Sequence, residues 1–404
     1  MSLYTQETLL IGGEENFATV RHLVVRGTNY EIGKHLAGLA REQHGLHKGP
    51  VANPSVNHAR RLYFQRNYPI HLDRARGVAD AYGLWFEDDA LDPTTLLYAF
   101  PGASAGGCSV IYYPPQTTAS GHGLLSRNYD FSTGSLPEVL GEPLPPGTKL
   151  PPVMGEPYVM EVYPDEGYPS LYLAGFDLLG ACLDGINAEG LTVSLMGNVD
   201  LQNRCLPEPT LQSGVGLYEL QVPRLLLDTC ATVEEAKRAL LLNKQYYWMM
   251  PCHYIIGDRQ GHSFVWEYSP GHNREYIMDG GGTPQVVTNH PLSLPVRDQD
   301  ASHESVRRYR MLRERIEGHP TRHSIDDLKH TNASVFADDV LMVHLQIAFR
   351  EGAPATRTLW HAIYDTSERS LQVSFYLRDE PGLEPSSQRC ALRSAYYSFR
   401  LQDE

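Results

Sequence analysis

The chain has little that would suit a polyanion. Of its 404 residues, 34 are Lys or Arg against 48 Asp or Glu, a formal charge of −14 at neutral pH. That balance disfavours nucleic acid and anionic membrane surfaces as partners. Cysteine is sparse and scattered, at 108, 182, 205, 230, 252 and 390, with no CxxC pair and no zinc-like spacing. There is no HExxH, no Walker loop and no GxGxxG opening a helix after a strand. Neither a metal nor a bound cofactor is therefore expected. No apolar run approaches the length of a membrane span. The start, Met1-Ser2-Leu3-Tyr4-Thr5, has neither the basic opening nor the apolar core of an export signal, so a cytoplasmic location with reduced thiols is expected. Internal repeats and low-complexity tracts are absent.

What is present changes character at Pro101 to Gly107. Before it the periodicity is mainly helical. A strand over 18–26 leads into a helix through Gly33, Leu36 and Ala40. A second helical stretch runs loosely from Asn57 to Tyr82, and Asp92-Pro93 predicts a short helix through Leu96 and Ala99. From Cys108 onward strands dominate, at 108–113, 124–131, 157–163, 170–175 and 191–196. Residues 132–156, rich in Gly and Pro, read as a long loop over a sheet edge, or a lid. A helix through Leu217 to Leu226 follows. Thr232-Val233-Glu234-Glu235 is a capping box opening a helix that ends near Asn243. A hairpin (254–258, 262–268), a short strand (285–289), helices within 302–350 and a final strand pair (358–364, 370–377) complete the chain. Helices layered on antiparallel sheets make this an α+β protein. The order of elements suits a four-layer αββα sandwich without singling it out.

The densest chemistry lies at Gly106-Gly107-Cys108-Ser109-Val110 and Ser126-Arg127-Asn128-Tyr129-Asp130, read as the ends of two adjacent strands. If the Gly107–Cys108 bond is cut, Cys108 gains an α-amine beside its thiol. Such an amine titrates near about 8, so it can take the thiol proton without a histidine. A buried carboxylate would orient the amine and an arginine would keep that carboxylate ionised; Asp130 and Arg127 have the right types. Neutral amides would serve the tetrahedral oxyanion. Gly106-Gly107 fits this too, because the attacked peptide bond needs an unusual backbone shape that glycine permits at least cost. The plainer reading is a buried thiol after an ordinary turn, with Arg127 and Asp130 as an ion pair.

With Asp184-Gly185-Ile186-Asn187-Ala188-Glu189-Gly190-Leu191 and Thr288-Asn289-His290 added, the pattern resembles the N-terminal-nucleophile (Ntn) hydrolases. Within them it is most similar to the acyl-coenzyme A:isopenicillin N acyltransferase family, and more distantly to bile salt hydrolases and penicillin V acylases. The resemblance runs from about Gly27 to the end, and includes Tyr254 to Asp258 with Glu267. It implies an Ntn sandwich with residues 1–107 as a mainly helical pro-segment (the α-subunit after cleavage) and 108–404 as the catalytic domain (the β-subunit). It implies cleavage between Gly107 and Cys108, Cys108 as nucleophile, and Arg127 and Asp130 holding it. Asn289 then matches an asparagine of the oxyanion and substrate site. Asn198 lies one residue from a second such asparagine. Arg308 is preferred to Arg307 as the arginine of a late helix because Tyr309 follows it.

Other readings stay open at several positions. Asn187 and Asp184 suit a turn between strands. Asn289 could cap a strand end and Arg308 could be a solvated helix residue. Tyr112, Tyr129 and Phe131 could line an acyl pocket or pack the core. The function expected is a self-processing amidohydrolase or acyltransferase acting on linear amides or acyl thioesters through an acyl-Cys108 intermediate. The competing readings are a papain-like enzyme using Cys108 with a histidine such as His290, and an uncut binding protein of the same fold. Either a monomer or a homo-oligomer is compatible with the sequence.

Overall fold

The computed structural model describes residues 2–99 except 50 and 52, 107–198 except 141, 143 and 146, and 214–269 except 249, and then 274–297, 303–318, 322–337, 354–380 and 391–402. Cys205 and Cys390, Gly106 and part of the helical stretch expected in 302–350 lie outside the described residues. The first segment contains β1 (Tyr4–Ile11), β2 (Val20–Gly27), α1 (Asn29–His44), α2 (Pro54–Asn67) and α3 (Pro69–Ala81). Thr28 and Glu31 form a reciprocal capping box at the start of α1, and Gly45 ends it in the left-handed region at φ 61°. The single stretch expected over 57–82 is two helices, because Tyr68 precedes Pro69 and leaves the helical region at ψ 64°. Helices α1 and α3 pack at backbone contact. A Cβ on Gly33 would lie 1.9 Å from the Arg74 carbonyl oxygen, and one on Gly77 would lie 2.0 Å from that of Tyr30.

The helix expected from Asp92 does not form. Asp92 Oδ1 accepts from Thr94 N and Oγ1 at 2.8 and 2.6 Å. Leu96 N then donates to Asp177 Oδ1 at 2.8 Å, and Tyr98 N to the Phe176 carbonyl at 2.7 Å. Pairing with a distant segment outweighs a weak local helix preference.

The second part of the chain begins with β3 (Cys108–Tyr113), β4 (Leu124–Ser132) and α4 (Leu136–Leu140), then β5 (Tyr158–Pro164), β6 (Ser170–Ala174), β7 (Asp184–Asn187) and β8 (Thr192–Gly197). Next come β9 (Leu217–Tyr218), α5 (Gln221–Thr229), α6 (Val233–Leu242), β10 (Gln245–Tyr246), β11 (Cys252–Gly257), β12 (Ser263–Ser269), β13 (Arg274–Asp279) and β14 (Gln285–Val287). The chain closes with α7 (Glu304–Glu317), α8 (Ile325–Ala333), β15 (Thr356–Asp365), β16 (Ser370–Asp379), β17 (Ala391–Arg393) and β18 (Tyr397–Arg400). Among the described residues a nine-stranded sheet runs β1-β2-β5-β6-β7-β8-β11-β12-β13, and a seven-stranded one runs β14-β3-β4-β15-β16-β17 with β18 also on β16.

Strand β2 pairs in parallel with β5, so residues before 107 build one edge of the larger sheet as well as the helices that were expected there. Helices α5 and α6 pack on β7, β8 and β11, while α7 and α8 pack on β14 and β4. Strand β3 meets β8 and β11 of the other sheet. The period-2 alternation assigns faces. Val110, Tyr112 and Leu125 join the main core, whereas Ile111, Tyr113 and Leu124 form a second cluster with Leu312 of α7 and Leu328 of α8.

Candidate active site around Cys108

Cys108 is the first residue of β3, a strand held between β14 and β4. Its thiol is buried and faces the other sheet. Burial pushes that thiol up from its ordinary value; Arg127 opposes the shift and Asp130 adds to it. The Cys108 amide donates to Asn289 Oδ1 at 2.6 Å. Arg308, from α7, donates to the Cys108 carbonyl oxygen and, at 2.8 Å, to Asn289 Oδ1. Asn289 Nδ2 donates to the Gly197 carbonyl at 2.9 Å. The carbonyl of Gly107 accepts the Asp130 amide at 2.8 Å, and the Gly107 amide returns a bond of 3.1 Å to the Asp130 carbonyl.

A Cβ on Gly107 would stand 3.1 Å from Arg308 Nη2 and 3.3 Å from Asp130 Oδ2, so both side-chain ends would have to give by a few tenths of an ångström.

Arg127 and Asp130 do not pair with each other, contrary to the expectation that Arg127 holds Asp130 ionised. Three residues apart on β4, they point to opposite faces. Arg127 turns to the inter-sheet side. It bonds Asp184 Oδ2 and the Leu183 carbonyl through Nη1, and the Leu195 carbonyl and, at 3.7 Å, Cys108 Sγ through Nη2. Burial works against the Arg127 charge, yet Asp184, Cys108 and Tyr129 together outweigh it and leave the guanidinium above its ordinary range. Asp130 instead accepts from Thr358 Oγ1 on β15 at 2.6 Å.

The thiol faces a small cavity of about 40 Å³, lined by Arg127, Tyr129, Phe131, Phe176, Leu195 and Met250 among others. Tyr129 lies under the Arg127 guanidinium at 5.0 Å and stacks on Trp360 at 4.0 Å. Tyr112 is not part of the wall; its hydroxyl donates to the Asp258 carbonyl at 2.5 Å. Asn198 is also outside the lining, which uses Gly197 instead. The Asn198 amide donates to the Pro251 carbonyl at 2.8 Å. Neither His290 nor His253 reaches the thiol. His290 Nδ1 lies 2.9 Å from Ser305 Oγ, and burial, with His253 and Arg308 adding, lowers its pKa to about 4.

A family model described as acyl-coenzyme A:6-aminopenicillanic acid acyl-transferase matches residues 117–379. The chain belongs to this acyl-transferase family. No curated protein matches the sequence significantly. Among solved structures, the chain is similar to a mutant conjugated bile acid hydrolase from Clostridium perfringens, at 13% identity and TM-score 0.44, over 73% of this chain and 92% of that one. Penicillin V acylase from Agrobacterium tumefaciens follows, with 18% identity and TM-score 0.37 over 68% and 76%. The Caenorhabditis elegans N-acylethanolamine-hydrolyzing acid amidase ortholog has 13% identity and TM-score 0.36 over 64% and 92%.

In this acyl-transferase family member, five of the six expected site residues converge: Cys108, Arg127, Asp130, Asn289 and Arg308. Asp184 was read only as a turn residue, whereas it takes the Arg127 charge; Trp360 Nε1 at 3.4 Å and Tyr364 OH at 2.6 Å complete its surroundings. Asn187 does serve its turn, accepting from Glu189 N and Leu191 N at 3.1 and 3.0 Å. Further lining residues had no sequence signal, among them Phe176, Glu219, Met250 and Cys252. Phe176 holds φ 74°, a rare conformation for a non-glycine residue. Glu219 accepts the Trp248 and Met250 amides at 2.7 and 3.1 Å. Cys252 is a second buried thiol, driven well up by burial. Among the described residues, no group of three or more His, Cys, Asp or Glu side chains is placed to hold a metal, and no helix is long and apolar enough to cross a membrane.

Proposed function

We propose that the chain is a self-processing cysteine N-terminal-nucleophile enzyme that moves acyl groups from linear amides or acyl thioesters, with its two sheets and flanking helices as an αββα sandwich. The observation that carries this reading is the position of Cys108. Its amide is gripped by Asn289 Oδ1, its neighbour's carbonyl is held by the Asp130 amide, and no described histidine bonds its thiol. In the uncut chain a buried, protonated thiol without a base is inert toward substrate.

In the first step Cys108 Sγ attacks the Gly107 carbonyl carbon. The C–N bond to Cys108 breaks as the thiol proton passes to nitrogen, leaving a Gly107 thioester and a free α-amine. Water then releases the Gly107 carboxylate. The new amine inherits Asn289 Oδ1 as an acceptor and lies beside the Asp130 carboxylate, and it becomes the base for the thiol. In turnover, Cys108 attacks the substrate carbonyl and the protonated amine supplies the leaving group's proton. Water or an acceptor amine then resolves the acyl-Cys108. Gly197 uses one of the two Asn289 Nδ2 protons, and the other suits the oxyanion. Arg308 orients Asn289, and the apolar wall of Tyr129, Phe131, Phe176 and Leu195 suits an acyl chain. Asn198 Oδ1, buried without a hydrogen-bond partner, is the weaker candidate for a substrate contact. The buried Arg74–Asp228 ion pair, at 2.5 Å, would keep fragment 1–107 attached as a non-covalent subunit. Free thiols at the four described cysteines suit a cytoplasmic protein.

Intact mass spectrometry tests the reading. Fragments 1–107 and 108–404 are expected from wild type over a long incubation and are absent from Cys108→Ala. A persistently uncut wild type that still hydrolyses N-acyl amides would overturn it.

A further inference from the structure

Asn289 is central to the proposed chemistry, yet it sits just beyond the short strand β14, where little backbone pairing holds it. Two elements clamp it. On the helix side, Ser305 of α7 accepts the Asn289 amide at 2.8 Å, and Thr288 Oγ1 donates to the Ser305 carbonyl at 3.0 Å. On the sheet side stand His253 of β11 and Glu267 of β12, which face each other directly in the hairpin register. His253 Nε2 lies 2.6 Å from the Thr288 carbonyl and Nδ1 lies 3.1 Å from Glu267 Oε1. Glu267 reaches past Asn289 and accepts the amides of Leu292 and Ser293 at 2.7 and 3.1 Å. The pair therefore grips the 288–293 turn on both sides of the asparagine. Both residues are buried, His253 completely.

We propose that His253 and Glu267 form a buried hydrogen-bonded pair that positions Asn289 for the Cys108 amine. A carbonyl oxygen can only accept, so Nε2 carries a proton, and Nδ1 meets Glu267 Oε1. Burial alone would raise the Glu267 pKa, but the His253 bond and the two amides outweigh it and hold it below the ordinary value. His290, Arg308 and His303 are the other cationic or titratable groups on this side, and Glu304 of α7 balances Arg308 at 3.8 Å. Loss of either ring contact would release the Thr288 carbonyl or Glu267, and with it the turn carrying Asn289.

Two experiments decide it, and the kinetic one rests on the function proposed above. Imidazole nitrogen NMR of the full chain, with His253 assigned by difference against His253→Gln, is independent of any activity. A proton on Nε2 is expected, and a bare Nε2 would overturn the pair. In kinetics on an N-acyl amide, His253→Gln should lower kcat on the order of a hundredfold with little change in KM, since a small misplacement of a positioning group has that cost. In the double variant His253→Gln with Glu267→Gln, each amide finds a complementary partner without charge, so much of kcat should return. A folded His253→Gln with wild-type kcat, or a double variant no faster than the single, would overturn the positioning role. A wild type that neither processes nor turns over would count against the proposed function alone, with the NMR result still standing.

Discussion

Two fully buried ion networks stand on opposite sides of the large sheet, and one of them adjoins the cavity in front of Cys108. In the first, Asp228 of α5 accepts from Arg74 at 2.5 and 3.2 Å, from Arg224 at 2.6 Å and from the Tyr68 hydroxyl. Arg74 goes on to Asn29 and Arg224 to Ser170, each at 2.8 Å. In the second, Asp184 takes Arg127 Nη1, and Nη2 reaches the Cys108 thiol at 3.7 Å. The first ties α1, α3, α5 and β6 together. The second has the same ingredients with a thiol and a cavity added. Buried paired charge therefore does not mark a site; both networks shift pKa values, and only geometry separates them.

Substitutions can break this contrast. The largest effect is expected from Cys108→Ala: complete loss of self-cleavage and acyl transfer, with the denaturation midpoint moved by less than about 1 kcal/mol equivalent. Asp228→Asn should do the reverse. Two buried arginines lose their counter-charge, which costs about 3–5 kcal/mol, while the fraction that stays folded cleaves at the wild-type rate. Urea denaturation alongside mass spectrometry reads both. Asp184→Asn should combine the two outcomes, with a similar stability loss and cleavage slowed by roughly a hundredfold as Arg127 shifts. If Asp184→Asn cleaved normally, the second network would be as purely structural as the first.

Acid should probe one neutral histidine in each region. Burial lowers His71, near the Asp228 network, to about 3, and His290, near the active site, to about 4. Their folded values lie below the ordinary value of about 6.5. The stability they contribute is thus complete above about 6.5 and is lost as pH falls from there toward the folded values. Melting temperature should decline over that interval, and His71→Gln should flatten the decline if it still folds. Asp228, held low by Arg224 and Arg74 against the opposing effect of burial, adds a loss at lower pH, below its ordinary value. The smallest change is expected at the surface. Arg259 and Glu189, at 3.2 Å and 52% and 37% exposed, should cost about 0.5 kcal/mol or less in Arg259→Ala.

Much of the strand plan was legible because hairpin strands carry their pattern locally. The strands starting at 108, 124, 170 and 370 and the turn at Asp258 fall where alternation and turn residues put them. Asp258 Oδ1 closes that turn by accepting the Gln260 and His262 amides at 3.0 and 3.1 Å. The missed elements have weak or misleading local signals. Strand β1 is almost wholly exposed, so it lacks an apolar face to detect. Strand β7 lies within a motif that also reads as a turn. Residues 92–99 look helical until Asp177 and Phe176 supply their partners.

Sequence alone determined the nucleophile candidate and its company: a cysteine after glycine, with Arg127, Asp130, Asn289 and Arg308 in an order that pointed to an acyl-transferring family. These are residue types at strand ends and one helix, and type and order are written in the chain. Tertiary structure decided who pairs with whom. It gave Arg127 to Asp184 rather than Asp130, because alternation along β4 sends the two side chains to opposite faces. It also closed the pocket with Phe176, Glu219, Met250 and Cys252, and set His253 and Glu267 around the turn that carries Asn289. Those contacts depend on which strands become neighbours, and no local pattern encodes that.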